Sequence, residues 1–184
     1  MADVDLFSEV KASGVFTGFE ASARGSVLTV SPGHARLNGK LIPGGWAVDM
    51  AGNAPGWWAI IAGPDEALIT QDLHAPGLPL WLLLLEENGR MVVGRDLRRR
   101  CLGIVWEAGS ACAAPLPLDE PLSMRRIQAA TGEVDGCGTP YWTDCVVTAN
   151  VAHGQVLRPA ELLEVTPHRT TAGQVGLVLE GYDA

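Results

Sequence analysis

Basic residues are scarce in this sequence. It contains 13 Lys and Arg against 21 Asp and Glu, which gives its 184 residues a formal net charge of -8. Affinity for nucleic acid depends on Lys and Arg that neutralise phosphates, so this balance argues against a protein whose main task is to bind DNA or RNA. One basic cluster, Arg95 with Arg98, Arg99 and Arg100, is interpreted as a solvated strand end or an oligomer contact.

Long hydrophobic runs are also absent. The longest apolar run covers residues 78–85 and includes Pro79, whereas a membrane-spanning helix needs about twenty residues. The N-terminus has neither the basic region nor the apolar segment of a secretory signal. The sequence therefore predicts no membrane insertion and no export through the general secretory route.

Cysteine pairs at metal-binding spacing are missing too. Cys101, Cys112, Cys137 and Cys145 lie 11, 25 and 8 positions apart, whereas zinc knuckles and redox motifs need a gap of about two residues. We therefore predict no metal and no cofactor. Thiols are the default state of these cysteines, and one or two disulfides would form only in an oxidising setting.

Catalytic motifs are absent as well. The sequence has no nucleophile elbow, no phosphate-binding loop and no complete dinucleotide-binding glycine motif. Its histidines, His34, His74, His153 and His168, are spread along the chain with no motif that connects them. These observations predict a protein that is not an enzyme. A small β-rich hydrolase built on His34, His74 or His153 is the least favoured alternative.

Glycine, proline and Asn-Gly pairs are abundant. With 22 Gly and 12 Pro, the composition is that of a globular chain rich in turns. Asn38-Gly39 and Asn88-Gly89 each divide a strand-like run, and Asn-Gly favours the left-handed backbone of a two-residue hairpin turn. At the second turn this geometry would place Glu87 opposite Arg90. The predicted fold is mainly β, an antiparallel sandwich or barrel-like domain.

Short apolar runs separated by Gly and Pro predict a series of strands in the first part of the chain. The runs at 57–62 and 80–86 are apolar on both faces, so we expect another sheet, a helix or another subunit to cover each side. The predicted strands are 15–21, 27–30, 34–37, 40–42, 46–50, 57–62, 67–71, 80–86, 90–93 and 101–106.

The composition changes after Trp106. Residues 107–121 are rich in proline and small residues, which predicts a linker or arm between a β-rich domain at 1–106 and a smaller β-rich region at 122–184. Asp119 and Ser123 are N-cap candidates ahead of a loose apolar stripe that ends at Gly132, so one short helix is predicted there. Further strands are predicted at 141–149, 155–157, 161–165 and 174–180.

Tryptophan is frequent, with 6 in this chain. Most are interpreted as core or subunit-interface residues. Because neighbouring strand residues face opposite ways, one indole of Trp57-Trp58 is expected to be exposed or covered only by a partner chain. Trp57, Trp58 and Trp142 are therefore the candidate interaction surface, and a carbohydrate stacked on one of them is the alternative.

One part of the chain resembles a known family. The stretch 27–42, in which Ser31-Pro32-Gly33 precedes Asn38-Gly39, resembles a pattern in tail-fibre, baseplate and receptor-binding proteins of tailed bacteriophages. In those proteins an apolar strand and a hairpin follow, and then an Asp-Leu-Arg that is similar to Asp96-Leu97-Arg98 here. The resemblance covers residues 14–100. It implies a tight strand entry at Pro32 and Gly33, and a polar clasp between Asp96 and Arg98 at a strand end.

The resemblance implies a non-enzymatic structural protein of the virion tail, made in the host cytoplasm without a signal peptide. A compact baseplate, tail-tip or fibre-attachment component fits the sequence better than a complete long fibre. The implied partners are further copies of the chain, most commonly as a trimer, and other tail or baseplate proteins. A host surface glycan is the partner in the carbohydrate-binding alternative.

Overall fold

The computed structural model describes residues 2–107, 112–168 and 173–184, with side chains from Leu6 onward. Antiparallel sheets and one short helix make up its regular structure. This confirms the predicted mainly-β class, and no closed barrel forms among the described residues. The chain divides into two compact units, Ser13–Arg99, called here the continuous unit, and Met1–Ala12 with Arg100–Ala184, called the split unit.

The continuous unit consists of three antiparallel sheets around one core. Their strand orders are β1-β4-β5, β2-β3-β6 and β10-β9-β7-β8. The core contains Phe19, Leu28, Ile60 and Leu83 among its buried side chains. The strands are β1 Gly14–Gly18, β2 Ala21–Arg24, β3 Val27–Val30, β4 Gly33–Leu37, β5 Lys40–Ile42, β6 Trp46–Asp49, β7 Gly56–Ala62, β8 Ala67–Thr70, β9 Leu78–Leu85 and β10 Met91–Asp96.

The split unit has two sheets and its own core. Strands β14-β13-β18-β11 lie in one sheet, in which β16 also pairs with β13, and β12-β17-β15 form the other. Met124, Leu163 and Leu177 are among the side chains buried in this core. The elements are α1 Ala2–Glu9, β11 Arg100–Glu107, β12 Ala113–Pro115, β13 Leu122–Val134, β14 Pro140–Cys145, β15 Val147–Ala149, β16 Val156–Leu157, β17 Leu162–Pro167 and β18 Gln174–Asp183.

The helix lies elsewhere than predicted. The predicted helix after residue 119 is wrong, because Leu122–Val134 is a 13-residue strand paired with β18. A register shift between Met124 and Arg126 offsets the alternation of its apolar residues, which gave the sequence its apparent helical stripe. The helix is α1, and no described helix is long and apolar enough to cross a membrane.

Two glycines make room for this helix. Leu6 and Phe7 are buried, and a Cβ added at Gly103 of β11 would lie 2.6 Å from the Phe7 ring. A Cβ added at Gly176 of β18 would lie 2.6 Å from Leu6. The helix therefore packs where these two strands carry no side chain.

The division into units differs from the predicted boundaries. Strand β11 pairs with β18 from Arg100↔Gly181 to Glu107↔Gln174, so the strand expected to close the first domain belongs to the split unit. Within the predicted linker, Ala113–Pro115 forms β12 and pairs with β17, and Leu116 is buried. Residues 108–111 lie outside the described residues.

The two Asn-Gly turns differ from each other. At the first, Asn38 and Gly39 have φ of 50° and 82°, and Leu37 pairs directly with Lys40, which confirms a two-residue turn. At the second only Gly89, with φ of 81°, is left-handed. Its N–H bonds to the Glu86 carbonyl at 2.9 Å.

The second hairpin therefore has a longer loop than predicted. The Glu86 N–H donates to the Arg90 carbonyl at 2.9 Å, and Met91 pairs with Leu85. The predicted pairing of Glu87 with Arg90 is wrong, because a left-handed glycine after a turn adds one residue to the loop. Glu86 takes the place opposite Arg90.

Candidate functional site

The predicted clasp between Asp96 and Arg98 is present at the end of β10. Arg98 Nη2 lies 2.6 Å from Asp96 Oδ2, and Arg98 Nε lies 3.0 Å from Asp96 Oδ1. The Arg98 backbone N–H also donates to Asp96 Oδ1 at 2.9 Å. The side chain of Arg98 is 3% exposed, so this paired charge is enclosed by protein.

The clasp reaches further than the sequence indicated. Arg98 Nη1 donates to the Gly18 carbonyl at 2.8 Å and to Glu20 Oε1 at 2.6 Å. The Arg98 guanidinium also lies over the Trp81 ring, 4.6 Å from its centroid, in the geometry of a cation–π contact. Burial by itself lowers the pKa of Arg98, but the hydrogen bonds and negative charges of Asp96 and Glu20 together outweigh burial and raise the pKa overall. Arg98 stays charged.

These contacts hold a bend in the chain between β1 and β2. Gly18 and Phe19 have φ of 72° and 59°, and a bulky residue in the left-handed region costs about 1–2 kcal/mol. Phe19 is fully buried, and its carbonyl accepts a 2.7 Å hydrogen bond from Trp81 Nε1. Arg98 and Trp81 thus hold the carbonyls on either side of the strained residue.

The Ser31-Pro32-Gly33 segment meets the same bend from the other side. Ser31 N–H donates to the Glu20 carbonyl at 2.9 Å, and Glu20 N–H donates to Ser31 Oγ at 3.0 Å. A Cβ at Gly18 would overlap the Pro32 carbonyl oxygen, and a Cβ at Gly33 would overlap the carbonyl oxygen of Thr17. Both ends of the pattern that resembles the phage proteins therefore converge on residues 18–20.

Sequence reasoning identified Asp96 and Arg98 but missed their partners. Gly18, Glu20 and Trp81 lie between 15 and 80 positions away along the chain. The only local sign of the bend is the Gly18-Phe19 pair itself, which resembles many strand ends. Long-range convergence of this kind follows from the sheet arrangement and has no sequence signature.

The three candidate tryptophans have different environments. Trp57 is 50% exposed. Trp58 is half-buried against the core, and its Nε1 donates to the Ala54 carbonyl at 3.1 Å. Trp142 is 8% exposed and packs over Gly132 and Gly176 of the split unit. The expectation that Trp142 contributes an interaction surface is wrong, because those two glycines leave a recess that its ring fills.

Trp57 belongs to an apolar sheet face. Strand registers place Trp57 beside Leu84 and Leu84 beside Val92. A Cβ at Gly94 would lie 3.2 Å from the Trp57 ring, so the indole lies across the sheet toward β10. Leu68 is 47% exposed, and Leu82 and Leu84 are half-buried. We call Trp57, Leu68, Leu82, Leu84 and Val92 the Trp57 face.

Two polar residues border the Trp57 face. Arg95 is exposed and pairs in register with Leu82. The Gln71 amide nitrogen lies 3.4 Å from where a Cβ of Gly56 would be, beside the start of β7. The opposite face of the same sheet, with Trp58, Ile60 and Leu83, packs into the core. The sheet is therefore apolar on both sides, as the sequence predicted for 57–62 and 80–86.

Two of the histidines contact other side chains within the fold. The His34 ring stacks on Phe16 with centroids 4.8 Å apart, and burial, then the nearby charge of Arg36, lowers the His34 pKa. His168 Nε2 lies 2.6 Å from Thr148 Oγ1. In the described parts of the chain no group of three or more His, Cys, Asp or Glu side chains could hold a metal ion.

The cysteines lie in the split unit. Cys101 is buried, and Cys137 is exposed in the turn between β13 and β14. Cys112 and Cys137 are thiols. Burial raises the pKa of the Cys112 thiol, which makes this side chain less reactive at neutral pH.

The chain matches no protein-family model, no curated protein and no solved structure. The resemblance to phage tail proteins therefore stays a prediction from the residues that carry it.

Proposed function

We propose that this chain is a structural protein of a bacteriophage tail, acting as a baseplate, tail-tip or fibre-attachment component through homo-oligomeric assembly. The observation that carries the proposal is the Trp57 face, a sheet surface with a half-exposed indole and an exposed leucine. Exposed apolar side chains on a sheet surface are a feature of sites of protein association. Large aromatic side chains are also the residues that dominate the energy of such interfaces.

The rigid frame behind this surface supports the same proposal. Strands β9 and β10 contribute to the Trp57 face. Strand β10 ends at Asp96 of the clasp, and β9 carries Trp81, which contacts the Arg98 guanidinium. The buried guanidinium of Arg98 contacts Asp96, Glu20, Gly18 and Trp81, all of which belong to the same unit. Such an arrangement suits a subunit that presents a fixed surface to its neighbours.

The oligomeric state tests this proposal. We expect the purified chain to form a closed homo-oligomer, with a trimer favoured, in size-exclusion chromatography coupled to light scattering. Trp57→Glu should shift the chain to monomer, because it buries a charge at the centre of the contact. Leu41→Glu is the matched control, since Leu41 is 58% exposed on β5, in a different sheet. A strictly monomeric wild-type chain that associates with no tail protein contradicts the proposal.

A second candidate function is carbohydrate binding at Trp57. The observation that favours it is a flat, half-exposed indole bordered by Gln71 and Arg95, which could donate hydrogen bonds to sugar hydroxyls. A glycan array tests it, with Trp57→Phe and Trp57→Ala compared. Carbohydrate binding predicts a graded loss, with Phe retaining part of the signal, in a chain whose oligomeric state is unchanged. No glycan bound by the wild-type chain eliminates this candidate.

A further inference from the structure

Strand β13 of the split unit has one edge that is only partly paired. Its other edge pairs with β18 over most of its length. On the partly paired edge, β16 pairs with Leu122 and Ser123, and β14 pairs from Ala129 onward. Among the described strands, none pairs with residues 125–128 on this side. We call residues 125–128 the open edge.

A cleft lies beside the open edge. It arises because β14 pairs with β13, whereas β15 pairs with β17 in the other sheet, so the chain passes from one sheet to the other at Val146. The volume of the cleft is about 620 Å³, within the range of natural ligand sites. The lining residues are Ile127, Gln128, Ala129, Asp144, Cys145, Val146, Val147 and His168.

The residues beside the open edge include apolar side chains and one unsatisfied polar atom. Ile127 and Val147 are half-buried and also pack on the core of the split unit. Gln128 Oε1 is buried and has no hydrogen-bond partner among the described residues. A buried acceptor without a partner is unfavourable. A bound group that supplies a donor would remove that cost.

We propose that this cleft binds an extended peptide segment of a partner protein, which adds to β13 as a short strand along the open edge. Alternate residues of a strand direct their N–H and C=O groups to one edge, so residues 125–128 offer backbone groups to an incoming strand. At about 3.3 Å per residue, the open edge spans about 13 Å, enough for about four residues of peptide. Strand addition of this kind is a recurrent mode of peptide recognition.

The chemistry of the cleft defines the peptide. The side chains of an added peptide strand alternate between two faces. Those that face Ile127 and Val147 should be apolar. The remaining peptide side chains project from the other face of the added strand, on the side of Gln128, so a hydroxyl there, such as that of Thr, would donate to Gln128 Oε1. This inference concerns the split unit and does not depend on the function proposed for the Trp57 face.

Titration with defined peptides tests the proposal. The probes are acetylated hexapeptides that alternate Thr with Val, Leu, Phe or Lys, and counterparts that are N-methylated at every residue. We expect Val, Leu or Phe peptides to shift the backbone amide resonances of residues 125–128 and to slow their hydrogen exchange. The N-methylated counterparts should do neither, because they cannot donate to a strand edge.

A substitution locates the contact. Gln128→Leu should weaken peptide binding about five- to tenfold, the typical loss of one hydrogen bond. It should also raise the melting temperature of the chain without peptide, because it removes an unsatisfied buried acceptor. Glu66→Leu, in the exposed loop before β8 of the continuous unit, is the control and should change neither peptide binding nor the melting temperature.

Two results would overturn the proposal. One is the absence of any shift at residues 125–128 with every peptide at millimolar concentration. The other is equal binding by the N-methylated counterparts, which would mean that the cleft takes apolar groups without strand addition.

Discussion

Arg98 donates a 2.8 Å hydrogen bond to the carbonyl oxygen of Gly18, a residue 80 positions earlier in the chain. Gly18 in turn lies so close to Pro32 that a Cβ would overlap the Pro32 carbonyl. One bend therefore joins the strand end at Asp96–Arg98 to the strand entry at Pro32-Gly33. These contacts give a physical reason for the presence of both motifs in one sequence, since each constrains the same three residues.

Removal of the Arg98 side-chain charge should destabilise the continuous unit strongly. Arg98→Met leaves Asp96 and the Gly18 carbonyl without their donor, and breaking a buried ion pair costs about 3–5 kcal/mol. Arg98→Lys should recover only part of this loss, because an ammonium cannot contact Asp96 through two nitrogens while it reaches Gly18. Denaturant unfolding followed by tryptophan fluorescence measures both effects.

The exposed neighbour Arg95 provides the control for Arg98. Arg95→Met should change the free energy of unfolding by no more than about 0.5 kcal/mol, as is usual for surface substitutions. Glu20→Gln should also have a small effect, since the Glu20 side chain is 62% exposed. Similar losses for Arg98→Met and Arg95→Met would show that the clasp does not stabilise the fold.

Two glycines with similar backbones separate steric overlap from conformational strain. Gly18 and Gly25 have φ of 72° and 63°, so alanine is strained at both positions. A Cβ at Gly25 meets nothing within 4 Å, whereas at Gly18 it overlaps Pro32. We expect Gly25→Ala to cost about 1–2 kcal/mol from strain alone. Gly18→Ala should destabilise the fold by at least about 2 kcal/mol more than Gly25→Ala, because the overlap with Pro32 displaces packed atoms in addition to the backbone strain. Equal losses in urea unfolding would contradict the close approach of Gly18 and Pro32.

Local sequence patterns predicted the strands of the continuous unit well. Alternation and turn residues depend on the chain within a few positions, so the Asn38-Gly39 hairpin and the two-faced apolar strands β7 and β9 could be recognised. The apolar stripe at 122–130 misled because a register shift between Met124 and Arg126 offsets the strand alternation. A bulge is set by the partner strand, which the local sequence does not reveal.

The candidate site was predictable only in part. The exposure of one indole in Trp57-Trp58 follows from the alternation of a strand, and Trp57 is that indole. Which of the other tryptophans are covered depends on distant residues. Trp142 is buried because Gly132 and Gly176, one of them 34 positions away, leave room for its ring. The contacts of Arg98 with Gly18, Glu20 and Trp81 likewise depend on the assembled sheets.

The two Asn-Gly turns should respond differently to the loss of asparagine. Asn38 has φ of 50°, whereas Asn88 lies outside the left-handed region. Asn38→Ala therefore forces alanine into a left-handed backbone, at about 1–2 kcal/mol. Asn88→Ala loses two exposed hydrogen bonds, from the Arg90 N–H to Asn88 Oδ1 and, at 3.4 Å, from Asn88 Nδ2 to Glu86 Oε2. The long second bond adds little, so the loss is about 0.5–1.5 kcal/mol at most.

Urea midpoints of the two alanine variants test this difference, with Asn38→Gly and Asn88→Gly as references. Glycine should restore most of the loss at position 38, because it adopts the left-handed backbone without strain. It should not restore the loss at position 88. Equal rescue by glycine at both positions would show that both hairpins have the same two-residue turn.

Stability should fall in mild acid because of His34. Burial, then the charge of Arg36, lowers the His34 pKa below its usual value of 6.5. A histidine with a lowered pKa binds its proton more readily in the unfolded chain, so the folded state loses stability as the pH falls through 6.5 and then through the folded-state pKa. Well above pH 6.5 both states are neutral and His34 has no such effect. His34→Phe removes the titrating group and keeps an aromatic ring against Phe16. The difference in urea midpoint between wild type and His34→Phe should therefore grow from roughly pH 8 to roughly pH 5.

His74→Phe, in an exposed loop, is the control and should leave the pH profile of the wild type unchanged. If His34→Phe has the same pH dependence of the urea midpoint as the wild type, the acid sensitivity comes from other groups.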